Sequence, residues 1–341
     1  MKKGIIIFLF VTNLCKAQGF DPQALNHLDD FFNDVIYYTD KFISPAADAV
    51  VYQSSSGWMH SAKKPQKNWN ASIGIHTNFF FIPNRNKSFL LQNEDLSFLR
   101  IQDGNSHNIP TALGNGTQIN IEDKYNIINP NFPIETPKGI DQDIVFYPHF
   151  SGSLSIVGGA EILLKFAPKK NTNTGFYQVY GFGIQYNISQ HIKLLESNKF
   201  NLSIVMSKSV EKIAFDLQNN EASFALLAFN RINGDVNSWQ FQTHVSKEYE
   251  NFEIILGSLV NISDFKYYFS GDKQIGEDVL KIEGLRPQEF FNQRLKSIYK
   301  TKINCIFETS VSYKWNRVIF QSSIAINRFV NTNFSIHYKI N

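Results

Sequence analysis

From Trp69 onward, apolar side chains occupy every second position. Over residues 69–81 the odd positions are Trp69, Ala71, Ile73, Ile75, Thr77, Phe79 and Phe81, six of the seven apolar; of Asn70, Ser72, Gly74, His76, Asn78 and Phe80, one is. Successive side chains of a strand point to opposite faces, so this parity predicts a strand with one apolar and one polar side. The pattern returns over residues 239–249, where Trp239, Phe241, Val245 and Tyr249 alternate with Gln240, Gln242, His244 and Glu248. It returns again over residues 303–315, with Ile303, Cys305, Phe307, Val311, Tyr313 and Trp315 on one face.

Length separates two kinds of β protein. Strands of soluble folds usually run about five or six residues, whereas these patterns hold for 11 to 13. Ten steps of about 3.3 Å, tilted by about 40°, project to roughly 25 Å, the height of the apolar band of an outer-membrane barrel. Aromatic residues stand at the ends of these faces: Trp69 and Phe81, Trp239 and Tyr249, Tyr313 and Trp315. They are candidate interfacial girdles. The polar faces supply candidate lumen residues Asn70, His76, Gln185, Asn187, Gln240 and Gln242. The expectation is an all-β, antiparallel transmembrane β-barrel. About twelve crossings (10–14) fall near residues 69–82, 87–101, 144–156, 159–167, 175–190, 198–216, 222–231, 238–249, 251–262, 302–315, 317–328 and 332–341. Glu250-Asn251 and Asn316 would be short inner turns and residues 263–300 a long outer loop. A secreted soluble β-sandwich is the alternative fold.

Ahead of the strands the period is helical. Leu25, Leu28, Phe32, Val35 and Ile36 recur at spacings of three and four after Asp21-Pro22, which predicts a helix over residues 23–38. Residues 44–66 read as an irregular connector. Residues 1–17, with Lys2 and Lys3 before a short apolar stretch and Cys15-Lys16-Ala17 at its end, have the form of a secretory signal peptide cleaved between Ala17 and Gln18. The expected organisation is therefore a signal (1–17), an N-terminal helix and connector (18–66) and a barrel (67–341). The helix and residues 96–137 are both candidate plugs.

Composition modifies this picture in three ways. The mean hydropathy is only −0.23 although 43% of the 341 residues are hydrophobic; alternation cancels in an average. The formal charge of +3 comes from Lys2, Lys3 and Lys16, and without them 30 basic residues face 30 acidic ones. No basic surplus remains to attract nucleic acid. Past residue 17 a single thiol, Cys305, remains, so it belongs in the interior or against lipid.

Catalytic patterns are absent. The eight histidines (27, 60, 76, 107, 149, 191, 244, 337) are dispersed along the chain, with no HExxH motif, nucleophile elbow or P-loop. Gly181-Phe182-Gly183 lies inside a strand, and Asp272, Glu277 and Asp278 lack the EF-hand spacing. The expectation is a non-enzymatic protein with no catalytic, cofactor-binding or metal residues and no cofactor.

Several stretches carry a family resemblance: Ser56-Gly57-Trp58-Met59-His60-Ser61-Ala62-Lys63, Pro110-Thr111-Ala112-Leu113-Gly114, residues 159–168 and Tyr180-Gly181-Phe182-Gly183-Ile184-Gln185. In that order they resemble an uncharacterised outer-membrane barrel family of Bacteroidetes-type bacteria, a domain of unknown function. The resemblance implies a barrel in the cell outer membrane, with outer-membrane lipid and the barrel assembly machinery as partners. A looser similarity, of architecture only, is to long-chain fatty-acid transport barrels. Passage of a small or hydrophobic solute, of unidentified cargo, is the leading functional expectation. A structural or partner-binding barrel with a closed lumen is the alternative.

Overall fold

The computed structural model describes residues 22–65, 67–125, 134–172, 175–217, 230–271 and 287–340. The expected signal and its Ala17/Gln18 junction lie outside these residues, as do Asp272, Glu277 and Asp278. A long helix α1 (Pro22–Ser55) leads into β1 (Ala71–Phe81). Five short strands follow: β2 (Ser88–Gln92), β3 (Leu99–Ile101), β4 (Ser106–Pro110), β5 (Asn120–Asp123) and β6 (Ile134–Glu135). Then come β7 (Ile144–Ser155), β8 (Ala160–Thr172), β9 (Gly175–Asn187), the short helix α2 (Lys193–Ser197), β10 (Phe200–Asp216), β11 (Arg231–Tyr249) and β12 (Phe252–Ser270). Helix α3 (Pro287–Arg294), β13 (Lys300–Trp315), β14 (Val318–Ile326) and β15 (Val330–Lys339) complete the chain.

Ten strands, β1 and β7 to β15, close into an antiparallel barrel, with β1 paired to both β7 and β15. A closed ladder leaves no edge, and this excludes the sandwich alternative. The expected count of twelve is corrected to ten. Residues 87–101 do not cross: Gln92 and Asp95 form a reciprocal capping box that interrupts the run, and the pieces become β2 and β3 in small separate sheets. The crossing expected at 222–231 falls on residues 222–229 outside the described residues, and Arg231 instead opens β11.

The helix also differs from its expected bounds. It continues past Tyr38 through Ser44-Pro45 to Ser55, with Pro45 inside it. Proline withdraws one helical hydrogen bond, but Ala46, Ala47, Ala49, Val50 and Val51 are buried in the main core and hold the helix there. Residues 263–270 are the upper part of β12 rather than loop. Residues 96–125 and 134–137 cover one end of the barrel instead of filling it. Leu91, Leu96, Phe98, Leu99, Ile101, Ile109 and Ile121 pack there against Phe31, Tyr37 and Tyr38 of α1.

Strands β10 to β12 run 17 to 19 residues, longer than the alternation that announced them. Their faces exchange polarity partway up. In the lower part of β11, Trp239, Phe241, Val245 and Tyr249 face out while Gln240, Gln242, His244 and Ser246 are buried inside. Above Trp239 the inward residues become Ile232 and Val236, and the outward ones Asp235 and Asn237. β12 changes at the same level, from outward Ile262 to Asp264 and Lys266, with Phe265, Tyr267 and Phe269 inside. The apolar outer band is thus confined to the lower barrel. The upper wall encloses an apolar core around α1.

Candidate functional site

The lumen is occupied along its length by the chain's own N-terminal segment. Helix α1 begins at the capped end, where Asp34 accepts the amides of Ser97, Phe98 and Leu99 at 2.7–2.8 Å. Burial raises the Asp34 carboxyl above its ordinary pKa, and the three amides oppose that shift. Asp29 pairs with Arg294 of α3. Further down, Lys300 reaches Asp40 and Ser44 at 2.6 and 2.7 Å, and Lys302 reaches Asp48 at 2.6 Å. Phe42 meets Phe215 edge-on, and Tyr52 meets Phe329. This upper section is an apolar core with charged anchors on one flank.

Below Ser55 the chain leaves the helix and threads the polar half of the barrel. Trp58 donates its indole N–H to the Ser54 carbonyl at 2.9 Å. The ammonium of Lys165 on β8 donates to the same carbonyl at 2.8 Å and to that of Ser56, and lies 4.7 Å from the centre of the Trp58 ring. A buried cation there meets the negative end of the helix and its unpaired carbonyls.

Polar side chains from around the wall hold the rest of this segment. Asn261 donates to Ser55 Oγ (2.7 Å), Asn331 to Ser56 Oγ (2.7 Å) and Gln321 to the Met59 carbonyl (3.3 Å). Glu253 accepts from Ser61 Oγ and the Ala62 amide. Asn187 and Ser203 both donate to the Ala62 carbonyl, at 2.8 and 2.6 Å. Lys63 pairs with Glu248 at the lower mouth. The segment is therefore seated by hydrogen bonds together with a small apolar cluster, in which Trp58, Met59 and Ala62 meet Leu163, Val205 and Ile255 of the wall.

Four of the dispersed histidines meet in this seat. His76 stacks on His149 at 4.1 Å, and His337 lies 4.9 Å from His76 and 5.0 Å from His60. His76 bonds Ser151 and Asn333, and His149 bonds Asn78. Gly57, at φ +72°, passes against them; an added Cβ would stand 2.4 Å from Asn333 Nδ2 and 3.1 Å from His76 Nδ1. Among the described residues, no three His, Cys, Asp or Glu side chains form a metal-holding group.

The six lumen candidates take different places. Gln185 donates to the Ser61 carbonyl at 2.9 Å, Asn187 holds Ala62, and Gln242 reaches the Ser55 carbonyl at 3.4 Å. Gln240 links Ser209 and Gln242 within the wall. His76 joins the histidine cluster. Asn70 precedes β1, and its backbone carbonyl accepts the Ser155 amide. All six girdle candidates are exposed: Trp69, Tyr249, Tyr313 and Trp315 at the lower mouth, Phe81 and Trp239 ten residues up their strands. Cys305 is free and exposed on the outer face of β13. Strand parity alone missed Lys165 as the contact to the helix end. The only sequence signal was its charge at an inward position between Leu164 and Phe166.

The sequence of residues 1–340 matches the model of a family of unknown function, DUF6588. No curated protein matches the chain. Among solved structures it is similar to a FadL homologue of Pseudomonas aeruginosa, with 10% identity and a TM-score of 0.30, covering 76% of this chain and 60% of that one. The chain thus spans about three-fifths of that homologue. It is also similar to the outer-membrane protease OmpT of Escherichia coli (9% identity, TM-score 0.28, 82% of this chain and 100% of that one). The toluene transporter TbuX of Ralstonia pickettii gives 6% identity, a TM-score of 0.27, and coverage of 81% and 90%.

Proposed function

The chain belongs to DUF6588, a family of unknown function, and from that premise we propose an outer-membrane β-barrel whose lumen is closed by its own N-terminal segment and whose role is structural or partner-binding. The observation that carries this reading is the packing of α1. Phe32, Val35, Ile36, Phe42, Ile43, Val50, Val51 and Tyr52 are all buried in the main core. At about 1.5–3 kcal/mol for each such side chain, withdrawing the helix into water costs roughly 12–24 kcal/mol. The lower figure alone limits a helix-free lumen to about one molecule in 10⁹.

The outer-membrane location is supported by the apolar outer band of the lower barrel and its exposed aromatic ends. The capped end faces outward in this reading, because both barrel termini and the short turns share the other end. Export through residues 1–17, insertion by the barrel assembly machinery and contact with outer-membrane lipid belong to the same proposal.

Gated passage of a small solute is the second reading, and one observation favours it. The seat around residues 56–63 is polar, and His149 Nε2, Gln185 Oε1, Asn261 Oδ1, Asn331 Oδ1 and Asn333 Oδ1 are buried there without a protein hydrogen-bond partner. The full-length protein reconstituted in planar bilayers separates the readings. Heat-dependent gel migration with no unitary conductance is the expected result, and stable conductance steps or swelling of sugar-loaded liposomes overturn the closed-lumen assignment.

A further inference from the structure

Basic side chains are distributed unevenly around the upper edge of the apolar band. On β10, Lys208 and Lys212 face outward, four residues or about 13 Å apart along the strand. By register Lys208 lies opposite Phe182 and Lys212 opposite Gln178 on β9. On the far side of β9, the β8 ladder is irregular between Ala167 and Lys170, which turns Lys169 outward at the level of Gln178. Two strand spacings separate Lys169 from Lys212, about 10 Å.

Aromatic rings support these cations from below and beside. Lys169 Nζ lies 4.1 Å from the Phe176 centroid and Lys208 Nζ 5.1 Å from that of Trp239, while Arg231 shares the Phe176 ring at 5.6 Å. Lys170 instead sits 4.9 Å from Phe146 and donates to that residue's carbonyl. Between the three free ammonium groups, outward Gln178, Tyr180, Phe182 and Val210 bring no carboxylate. Asp235 borders the group across Lys212, and Asp216 is taken up by Arg231. Lys266 on β12 stands beyond Asp235 at the same level. The opposite wall shows Ile303, Ile326, Val330, Phe81 and Ile144 at its upper edge, with Arg85 and Arg328 in the turns above, where Arg85 donates to the Arg328 carbonyl.

We propose that Lys169, Lys208 and Lys212 form a binding surface on the β8–β10 wall for a doubly phosphorylated glycolipid of the outer leaflet, lipopolysaccharide. The inference rests on the outer-membrane reading above. Its acyl chains would lie on Phe166, Phe182, Ile184 and Met206, exposed directly below the cations, while its phosphates meet ammonium groups at two separated points. A disaccharide phosphorylated at both ends presents that spacing; a phospholipid presents a single headgroup phosphate. Snorkelling alone places lysines at a membrane edge but does not set three of them at this spacing on neighbouring strands above one apolar face.

The test uses the full-length protein in detergent, with binding of fluorescent bisphosphorylated lipid A followed by titration. Wild type should bind it at least tenfold more tightly than the fully dephosphorylated lipid, and K169Q/K208Q/K212Q should lose about tenfold per lysine. Heat-dependent gel migration, measured on the same samples, reports the barrel independently. Its loss in wild type would overturn the outer-membrane reading itself. Unchanged binding by a heat-modifiable triple variant, equal binding of the dephosphorylated lipid, or equal binding of phosphatidylglycerol would overturn the lipid site and leave that reading intact.

Discussion

Replacing Lys165 by Met should loosen the plug from below while leaving the barrel closed. Its ammonium donates to the Ser54 and Ser56 carbonyls and lies over Trp58. Methionine retains most of the volume and none of the donors, so the Ser54 and Ser56 carbonyls at the helix end lose their cation. Two buried hydrogen bonds from a charged donor are worth about 1.5–3 kcal/mol each, or about 3–6 kcal/mol together. The helix-terminus and cation–π contributions, up to about 2 kcal/mol each, are included in that figure because they describe the same ammonium. If the loss falls on the plug, opening of residues 56–63 rises by about 10²–10⁴-fold. Maleimide labelling reads this directly: in a Cys305→Ser background, Met59→Cys places a thiol at a buried plug position. Its labelling rate should rise at least a hundredfold with Lys165→Met. A labelling rate unchanged by Lys165→Met would refute the assignment of this lysine as the lower anchor.

Phe42→Ala removes a fully buried ring of the plug core and should lower stability by about 3–5 kcal/mol, read from the urea midpoint of the folded band in detergent. Gly57→Ala should cost about 1–2 kcal/mol from its positive φ, with more from crowding Asn333 and His76; Gly116→Ala, which meets nothing within 4 Å, is the neutral control in the same assay. The raised pKa of Asp34 means that its protonated form is favoured by folding. Its contribution is fully present below the ordinary aspartate pKa and is lost as pH rises through the raised value. Asp34→Asn should therefore flatten that limb of the thermal-midpoint profile on the alkaline side of the ordinary aspartate pKa, and an identical profile would contradict it.

Much of the lower barrel was legible because its physics is local. Period-two alternation identified β1, the lower halves of β11 and β12, and β13, since an outward residue there meets an apolar surrounding and an inward one a polar seat. The upper halves were hidden by the same rule. Once the wall rises past Trp239 and Ile262, inward positions pack on α1 and outward ones meet water, so the parity inverts and the pattern breaks off. The extra crossing at 87–101 has a related origin: Phe89 and Leu91, and again Leu99 and Ile101, alternate as a strand does, but they pack with Phe31 and Tyr38 rather than facing out of a wall.

By itself the sequence determined the strand faces, the all-β class, the helical start of the N-terminal segment and the exclusion of recognisable catalytic motifs, because each depends on residues near one another in the chain. Closure at ten strands, the threading of residues 22–63 through the lumen, the meeting of His60, His76, His149 and His337, and the capture of a helix end by Lys165 were decided only by tertiary structure. Those contacts join residues tens to hundreds of positions apart. Their partners follow from register and barrel closure, which no local period encodes.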